Sequence, residues 1–203
     1  MKKKLIASTS EHFKSIFEAE PEALFLSPGR INIIGEHIDY NDGFVLPAAI
    51  NKYICFAVSK AENEQCTLVA KDLKESFTFN WKDELKPVDK MWVNYMLGVL
   101  QQLKARGLAL EGFSVVFSST IPMGAGLSSS AALECGFGYA LNKLFNLNLS
   151  KEEIALIGQK SEHTFVGVKC GIMDQFASVF GKKNKAIKLD CTTLEYEYHN
   201  ANF

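Results

Sequence analysis

The sequence has 203 residues, of which 47% are hydrophobic and 22% are charged, and its formal net charge is −1. This apolar content excludes an intrinsically disordered chain, and the length predicts one large domain or slightly more. The balanced charge argues against a partner bound through bulk positive charge, so we expect no nucleic-acid partner.

The N-terminal part of the chain predicts one short helix followed by strands. Ser8 and Glu11 have the spacing of a capping box, and the helix that they open would end before Pro21. Apolar stretches broken by Gly and Pro then predict strands at 23–26, 31–34, 44–50, 53–58 and 67–70, with a further strand through the alternating Phe77, Phe79 and Trp81. This part should therefore be mainly sheet.

The remaining chain predicts helices that alternate with two strands. Apolar residues at helical spacing from Met91 to Arg106 indicate the clearest helix, which Gly107 would end. The later predicted elements are a strand at 113–117, a helix through Ala140, a helix from the Ser150–Glu153 capping box to about His163, a helical segment at 171–180, and a final strand at 186–191. We expect an α+β domain, a mixed β-sheet with helices packed on it.

The five cysteines indicate the redox environment. Their number is odd and no CxxC pair occurs, which disfavours a disulfide framework and a zinc site. We expect reduced, mostly buried thiols in a cytoplasmic protein. The basic start of the chain is followed at once by polar residues, unlike a signal peptide, and no apolar run approaches the ~18 residues of a membrane span, so we expect no membrane partner.

The strongest site signal is the segment 121–134, IPMGAGLSSSAALE, which lies between a predicted strand and a predicted helix. Its glycines allow backbone amides to turn toward one ligand, and its serines lie where a helix N-terminus favours an anion. No lysine follows the glycines, so this is not the GxxxxGK(S/T) loop. The alternative is a serine-capped helix after a glycine turn, but Pro122 and the length of the serine run favour the phosphate site.

A second polar segment, 28–43, contains Arg30 between a glycine and the cluster Glu36, His37 and Asp39. Such a density of directional donors and acceptors suits a ligand covered in hydroxyl groups. The alternatives are a polar turn between two strands and, less favoured, a metal site, since His37 has no second histidine at helical spacing.

Two acidic residues later in the chain also allow two interpretations each. Asp174, within GIMDQF at 171–176, is either a carboxylate at a helix N-terminus or a partly desolvated catalytic group. Glu162, near the end of its predicted helix, would by itself be a solvated surface charge.

Taken together, these motifs resemble those of the galactokinase family within the GHMP small-molecule kinase superfamily. Segment 29–41 is similar to the family's sugar signature, segment 122–134 to the superfamily's ATP motif, and segment 171–176 to the part with the catalytic aspartate. The resemblance covers about residues 20–195 and includes the tetrapeptide at 92–95. It implies a GHMP kinase N-terminal domain over 1–203, similar in fold to the second domain of ribosomal protein S5.

The resemblance also implies a role for each motif residue. ATP would be bound by Gly124, Ala125, Gly126, Leu127, Ser128, Ser129 and Ser130 at its phosphates and by Trp92 at its adenine. Mg²⁺ would be held by Ser130 and Glu162. Asp174 would accept the proton of the sugar's anomeric hydroxyl, and Arg30 would stabilise the transition state. Galactose would be held by Glu36, His37, Ile38, Asp39 and Gly171.

The reaction implied is phosphorylation of α-D-galactose by ATP, giving galactose 1-phosphate and ADP. The family also has a C-terminal domain that is absent from these residues, so we expect that domain to be a packing partner and the chain alone to have little kinase activity. Two alternative functions remain, a non-catalytic galactose and ATP sensor and an N-acetylgalactosamine kinase. The uninterrupted serine and alanine run at 128–132 favours a kinase over a sensor.

Overall fold

A computed structural model describes residues 2–201 and confirms the α+β fold class. The helices are α1 (Lys2–Phe17), α2 (Met91–Ala105), α3 (Ser129–Leu144), α4 (Lys151–Ser161) and α5 (Met173–Phe180). The strands are β1 (Ala23–Asn32), β2 (Phe44–Val45), β3 (Pro47–Lys60), β4 (Gln65–Ala70), β5 (Glu75–Asn80), β6 (Phe113–Ser119), β7 (Lys185–Asp190) and β8 (Tyr196–Asn200).

These strands form one mixed sheet around the long strand β3. The strand order is β2-β7-β3-β6-β4-β5, while β1 pairs with β3 and β8 pairs with β7. The pairing of β4 with β6 is parallel, and the other pairs are antiparallel. Because parallel strands need a long crossover, the chain passes through β5 and α2 between them.

Alternation along the central strands creates two apolar layers. Phe56 and Val115 face a core that is shared with α2 and α3, whereas Ala57 and Val116 contact Phe13 of α1 on the other face. All five residues are at most 1% exposed. The sheet therefore lies between α1 on one side and the helices that carry the site on the other.

The predicted capping box of the first helix is wrong, whereas that of α4 is confirmed. Ser8 and Glu11 lie inside α1, because packing of a buried stripe that includes Leu5 and Phe13 extends the helix toward the N-terminus. The Ser8 hydroxyl instead donates to the carbonyl of Leu5, a bond to the preceding turn. At α4, Ser150 and Glu153 make both reciprocal bonds of a capping box.

The prediction that 186–191 contains the last strand is also wrong, since β8 follows and pairs with β7. The Tyr198 hydroxyl of β8 donates to the carbonyl of Phe180 at 2.7 Å, and the ring of Tyr196 packs on that of Phe176. Strand β8 carries polar side chains along its exposed edge and aromatic side chains where it meets α5. Its strand structure therefore depends on tertiary contacts that composition does not reveal.

The thiol prediction agrees with the structure. All five cysteines are free; three are buried (Cys55, Cys66 and Cys135) and two are half-buried (Cys170 and Cys191). Over residues 2–201, no helix combines the length and the apolar character that crossing a bilayer requires.

Candidate active site

The loop between β6 and α3 turns tightly and opens into a helix. Gly124 and Gly126 have φ of 69° and 68°, a left-handed conformation that glycine adopts without strain. Ser128, with φ of 54°, directly precedes the first residue of α3. The first amides of a helix lack partners within it, and the helix dipole places positive charge there. The N-terminus of α3 therefore favours an anion, as predicted for a phosphate.

A cavity of about 750 Å³ adjoins this loop. We call it the α2–α3 cavity. The residues that line it include Trp92, Tyr95, Phe117, Met123, Ser129 and Ser130. The indole of Trp92 is fixed in place, because its Nε1 donates to an oxygen of Glu75 at 2.7 Å and its ring packs against Phe117 with centroids 5.5 Å apart. The structure thus places the predicted adenine residue and the predicted phosphate serines around one cavity.

Arg30 and Asp174, the two predicted catalytic residues, form an ion pair beside the loop. Arg30 lies near the end of β1 and donates from Nε to Asp174 Oδ1 at 2.6 Å. Its Nη1 donates to the carbonyl of Gly126 at 2.7 Å, so one guanidinium joins the loop to α5. The Ser128 hydroxyl donates to Asp174 Oδ2 at 2.5 Å. Hydrogen bonds of this charge-assisted kind are among the stronger ones in proteins and fix both side chains.

The predicted sugar-binding residues Asp39 and Gly171 lie next to this pair. A Cβ at Gly171 would collide with the carboxylate of Asp39, so glycine is required for their close approach. Burial raises the pKa of the Asp39 carboxyl above its ordinary value, and the negative charge of Asp174 raises it further. The two carboxylates therefore share one electrostatic environment, although their residues are far apart in the sequence.

The other predicted sugar-binding residues lie on the exposed turn 33–43. Glu36 accepts a hydrogen bond from Asn32 Nδ2 at 2.5 Å, and it contributes to the raised pKa of Asp39. His37 Nδ1 and the Tyr40 hydroxyl are 2.7 Å apart. Ile38 is 40% exposed and its side chain lies against Gly43. The side chains of Glu36, His37 and Ile38 are thus open to solvent on the same turn that carries Asp39.

Glu162, a predicted metal ligand, is the first residue of a π-helical turn (Glu162–Val166) that follows α4. It is 5% exposed, so it is not the solvated surface charge that its sequence context alone allowed. The neighbouring Glu134 is fully buried, and its pKa is well above the ordinary value because of burial first and the charge of Glu162 second. Ser130 lies one helical turn before Glu134 on α3. Within residues 2–201 no group of three or more acidic, histidine or cysteine side chains has metal-binding geometry.

Two polar residues near the site were missed by the sequence analysis. The buried Oδ1 of Asn32 has no hydrogen-bond partner among residues 2–201. Asn32 lies two residues after Arg30 on β1, hence on the same face of the strand. The alternation of side chains along a strand could have identified it. Glu134 gave no comparable signal. It is an isolated acidic residue in an apolar helix, and its neighbour Glu162 comes from a different element.

Two family models and several known proteins match the parts of the chain that carry the candidate site. Residues 94–182 match the model of the GHMP kinases N terminal domain, and residues 11–60 match the galactokinase galactose-binding signature. A galactokinase of Roseiflexus sp. is 42% identical over 92% of this chain, and one of Thermotoga petrophila is 46% identical over 85%. Both alignments cover 47% of the relative, so the chain spans about half the length of these curated proteins.

Solved structures give the same result. A Lactococcus lactis galactokinase complexed with galactose superposes with a TM-score of 0.89 and 39% identity, over 97% of this chain and 52% of that one. The Methanococcus jannaschii mevalonate kinase superposes with a TM-score of 0.69 over 89% of this chain and 56% of that one. At 21% identity, this match supports only a shared fold.

The sheet, the loop at the start of α3 and these matches identify a GHMP kinase N-terminal domain, and the chain belongs to the family that has this domain. Within the family, the signature over residues 11–60 and the sequence identities of 42–46% group it with the galactokinases.

Proposed function

We propose that the protein containing this chain is a galactokinase, which transfers the γ-phosphoryl group of ATP to the anomeric hydroxyl of α-D-galactose. One observation carries the proposal: Arg30 bonds both the carbonyl of Gly126 and the carboxylate of Asp174. This contact puts the only acidic residue of α5 directly at the loop that would hold the phosphates.

ATP would bind across the loop and the α2–α3 cavity. Its phosphates would meet the backbone of residues 124–130 and the N-terminus of α3, where the dipole favours their charge. Its adenine would enter the α2–α3 cavity and stack on the fixed indole of Trp92. A largely apolar cavity with a few placed polar groups is typical of a cofactor site.

Galactose would bind on the other side of Asp174, against Asp39 and Gly171 and under the turn that carries Glu36, His37 and Ile38. Carboxylates and an imidazole suit vicinal hydroxyl groups, because they accept and donate directional hydrogen bonds. The bound sugar in the Lactococcus lactis relative supports this choice of substrate.

In the reaction, Asp174 would take the proton of the anomeric hydroxyl while that oxygen forms a bond to the γ-phosphorus and the bond to the leaving ADP oxygen breaks. Phosphoryl transfer depends mainly on alignment and on charge stabilisation. Arg30 would do both, since its guanidinium fixes the carboxylate and bonds the carbonyl of Gly126, which would place it next to the transferred group.

Ser130 and Glu162 fit a magnesium ion, because hydroxyl and carboxylate oxygens are the hard ligands that Mg²⁺ prefers. The buried position of Glu162 beside a second carboxylate also leaves negative charge that a cation would offset. When bound, Mg²⁺ would neutralise charge on the phosphates.

We further propose that residues 1–203 form one domain that works with a second, C-terminal one. The relatives contain about as much sequence again, and the turn 33–43 is open to solvent on the side where the sugar would bind. We expect the 203 residues alone to bind ligands but to turn over slowly.

The test is galactose-dependent release of ADP by the protein that contains this chain, with Asp174→Ala as the variant. We expect the variant to lose ~10²–10⁴-fold in kcat, since the substitution removes the proton acceptor. ATP binding should be kept. Glu197→Gln, on the exposed edge of β8, is the control. Turnover like that of the wild type in Asp174→Ala would refute the assignment, and phosphorylation of N-acetylgalactosamine in place of galactose would refute the substrate.

A further inference from the structure

Two buried carboxylates meet behind the phosphate loop, and the proposed reaction uses one of them. Glu134 of α3 is 0% exposed and Glu162 is 5% exposed. Among residues 2–201, no lysine, arginine or histidine forms a salt bridge with either of them. A buried carboxyl group either holds a proton or meets an opposite charge or a metal, so this pair needs a proton or a cation.

Glu134 also lacks well-formed hydrogen bonds. Among residues 2–201, neither of its carboxylate oxygens has a partner at hydrogen-bonding geometry, and the same is true of Oε1 of Gln175, a fully buried residue of α5. The Glu162 carboxyl and the Ser161 hydroxyl lie near Glu134, but that hydroxyl donates to the carbonyl of Tyr95 at 3.2 Å. Roughly nine in ten buried polar groups in proteins are satisfied. Three unsatisfied acceptor oxygens on two fully buried side chains therefore point to a positively charged ligand.

These oxygens belong to one place in the fold. A Cβ at Gly158 of α4 would meet Cβ of Glu134 at 3.7 Å and Cγ of Gln175 at 3.1 Å, so both side chains start beneath the same turn of α4. The amide of Gln175 donates to the Cys170 sulfur at 3.7 Å. Burial first, and then the charge of Glu162, raises the pKa of the Cys170 thiol, with a smaller contribution from Glu134. Gln175 thus contacts this sulfur, and both glutamates lie close enough to affect its pKa.

The position of Glu134 on α3 connects this cluster to the phosphate loop. Glu134 follows Ser130 by four residues, so the two side chains share one face of the helix, one turn apart. Ser130 lies at the α2–α3 cavity, and Glu134 lies one turn deeper. A cation between them would contact a hydroxyl and two carboxylates, a donor set that suits a hard divalent ion.

We infer that Glu134 is a third protein ligand of the divalent cation proposed for Ser130 and Glu162, and that the chain binds this cation before any nucleotide arrives. The inference rests on the magnesium site of the proposed function. Two carboxylates balance the double charge of the ion, which removes the need for a lysine or arginine in the cluster.

The test is a titration of the protein with Mn²⁺ in the absence of nucleotide, in which electron paramagnetic resonance measures the concentration of free Mn²⁺. We expect the wild type to bind one Mn²⁺ per chain at this site, and both Glu134→Gln and Glu162→Gln to bind it at least tenfold more weakly. Glutamine keeps the shape of glutamate and removes its charge. Glu111→Gln, on an exposed loop, is the matched control and should bind like the wild type.

Thermal unfolding provides a readout that is independent of the titration. Mg²⁺ should raise the Tm of the wild type, because a ligand that binds the folded state stabilises it. At the same concentration it should raise the Tm of Glu134→Gln much less, while that variant without metal should unfold at a higher temperature than the metal-free wild type. If Glu134→Gln does not fold, Glu134→Asp, which keeps the charge but shortens the side chain, takes its place in the titration with the same expected weakening.

Two results would overturn the inference and leave the proposed function in place. One is Mn²⁺ binding by Glu134→Gln as tight as that of the wild type, which would mean that the two glutamates share a proton instead. The other is a wild-type protein that phosphorylates galactose but binds no Mn²⁺ without ATP. A third result would refute the proposed function and support the cation site. In that case the protein would bind Mn²⁺ through Glu134 but would not phosphorylate galactose.

Discussion

The loop 121–130 and the turn 33–43 both approach Asp174, but different contacts hold them. On the loop side, the ion pair of Arg30 with Asp174 joins residues 144 positions apart, and its side chains are 11% and 27% exposed. On the turn side, the exposed glutamate, histidine and asparagine side chains bond to neighbours three or four positions away.

This difference matches two separate requirements of the proposed reaction. Charge stabilisation in a transition state needs groups that are fixed before the reaction begins. Binding of a sugar can use side chains that adjust when the ligand arrives. We therefore expect changes on the loop side to lower kcat and changes on the turn side to raise the KM for galactose.

Among the changes that compare the two sides, the largest expected effect is that of Arg30→Lys. A lysine cannot reproduce the fork that bonds Gly126 and Asp174 together, so kcat should fall by at least about 100-fold. Steady-state kinetics at saturating ATP would measure it. Arg106→Lys, at the C-terminal end of α2, is the control, because that arginine bonds only the preceding turn of its own helix among the contacts found in residues 2–201. A change confined to the KM for galactose would break the distinction between the two sides.

A smaller effect is expected for Asp39→Asn on the turn side. The loss of a charged acceptor should raise the KM for galactose about tenfold and leave kcat within a few-fold of the wild type. Asp42→Asn, in the same exposed turn, should change neither. If Asp39→Asn instead lowers kcat as strongly as Arg30→Lys, then the turn takes part in the chemical step.

The smallest effect concerns stability and pH at the same residue. Burial and the charge of Asp174 raise the pKa of Asp39 in the folded state, so the folded protein holds this proton to a higher pH than the unfolded chain does. Folding stability must therefore fall as pH rises through that interval. Asp39→Asn should raise the Tm at pH 7 by about 1–3 °C, and the difference should shrink toward pH 4.

Thermal unfolding of the two proteins from pH 4 to pH 8 would measure this difference. A variant that is less stable than the wild type at pH 7 would show that the Asp39 carboxylate is stabilised by contacts that outweigh its burial.

Local sequence signals predicted the local structure where packing did not compete with them. The capping box of Ser150 and Glu153 opens α4, and the periodic segment from Met91 forms α2. The same spacing at Ser8 and Glu11 failed, since α1 begins earlier to pack its apolar stripe on the sheet. A cap and a buried stripe compete, and the sequence does not say which is stronger.

For the site, the sequence predicted the segments but not how they fit together. Arg30, Asp174 and the loop were each identified, yet the bond from Arg30 to the carbonyl of Gly126 depends on how β1 lies against the loop. Glu134 escaped notice for the same reason. Its environment is made by α4 and α5, and a glutamate in an apolar helix gives no sign of what faces it.

Because Asp174 follows Arg30 by 144 positions, Arg30 is synthesised long before the aspartate with which it pairs. At translation rates of ~5–20 residues per second, the delay is roughly 7–30 s. In that interval β1 can already pair with β3, but β3 keeps an open edge until β6 emerges. A nascent chain that stalls before residue 174 therefore carries an arginine without its counter-ion.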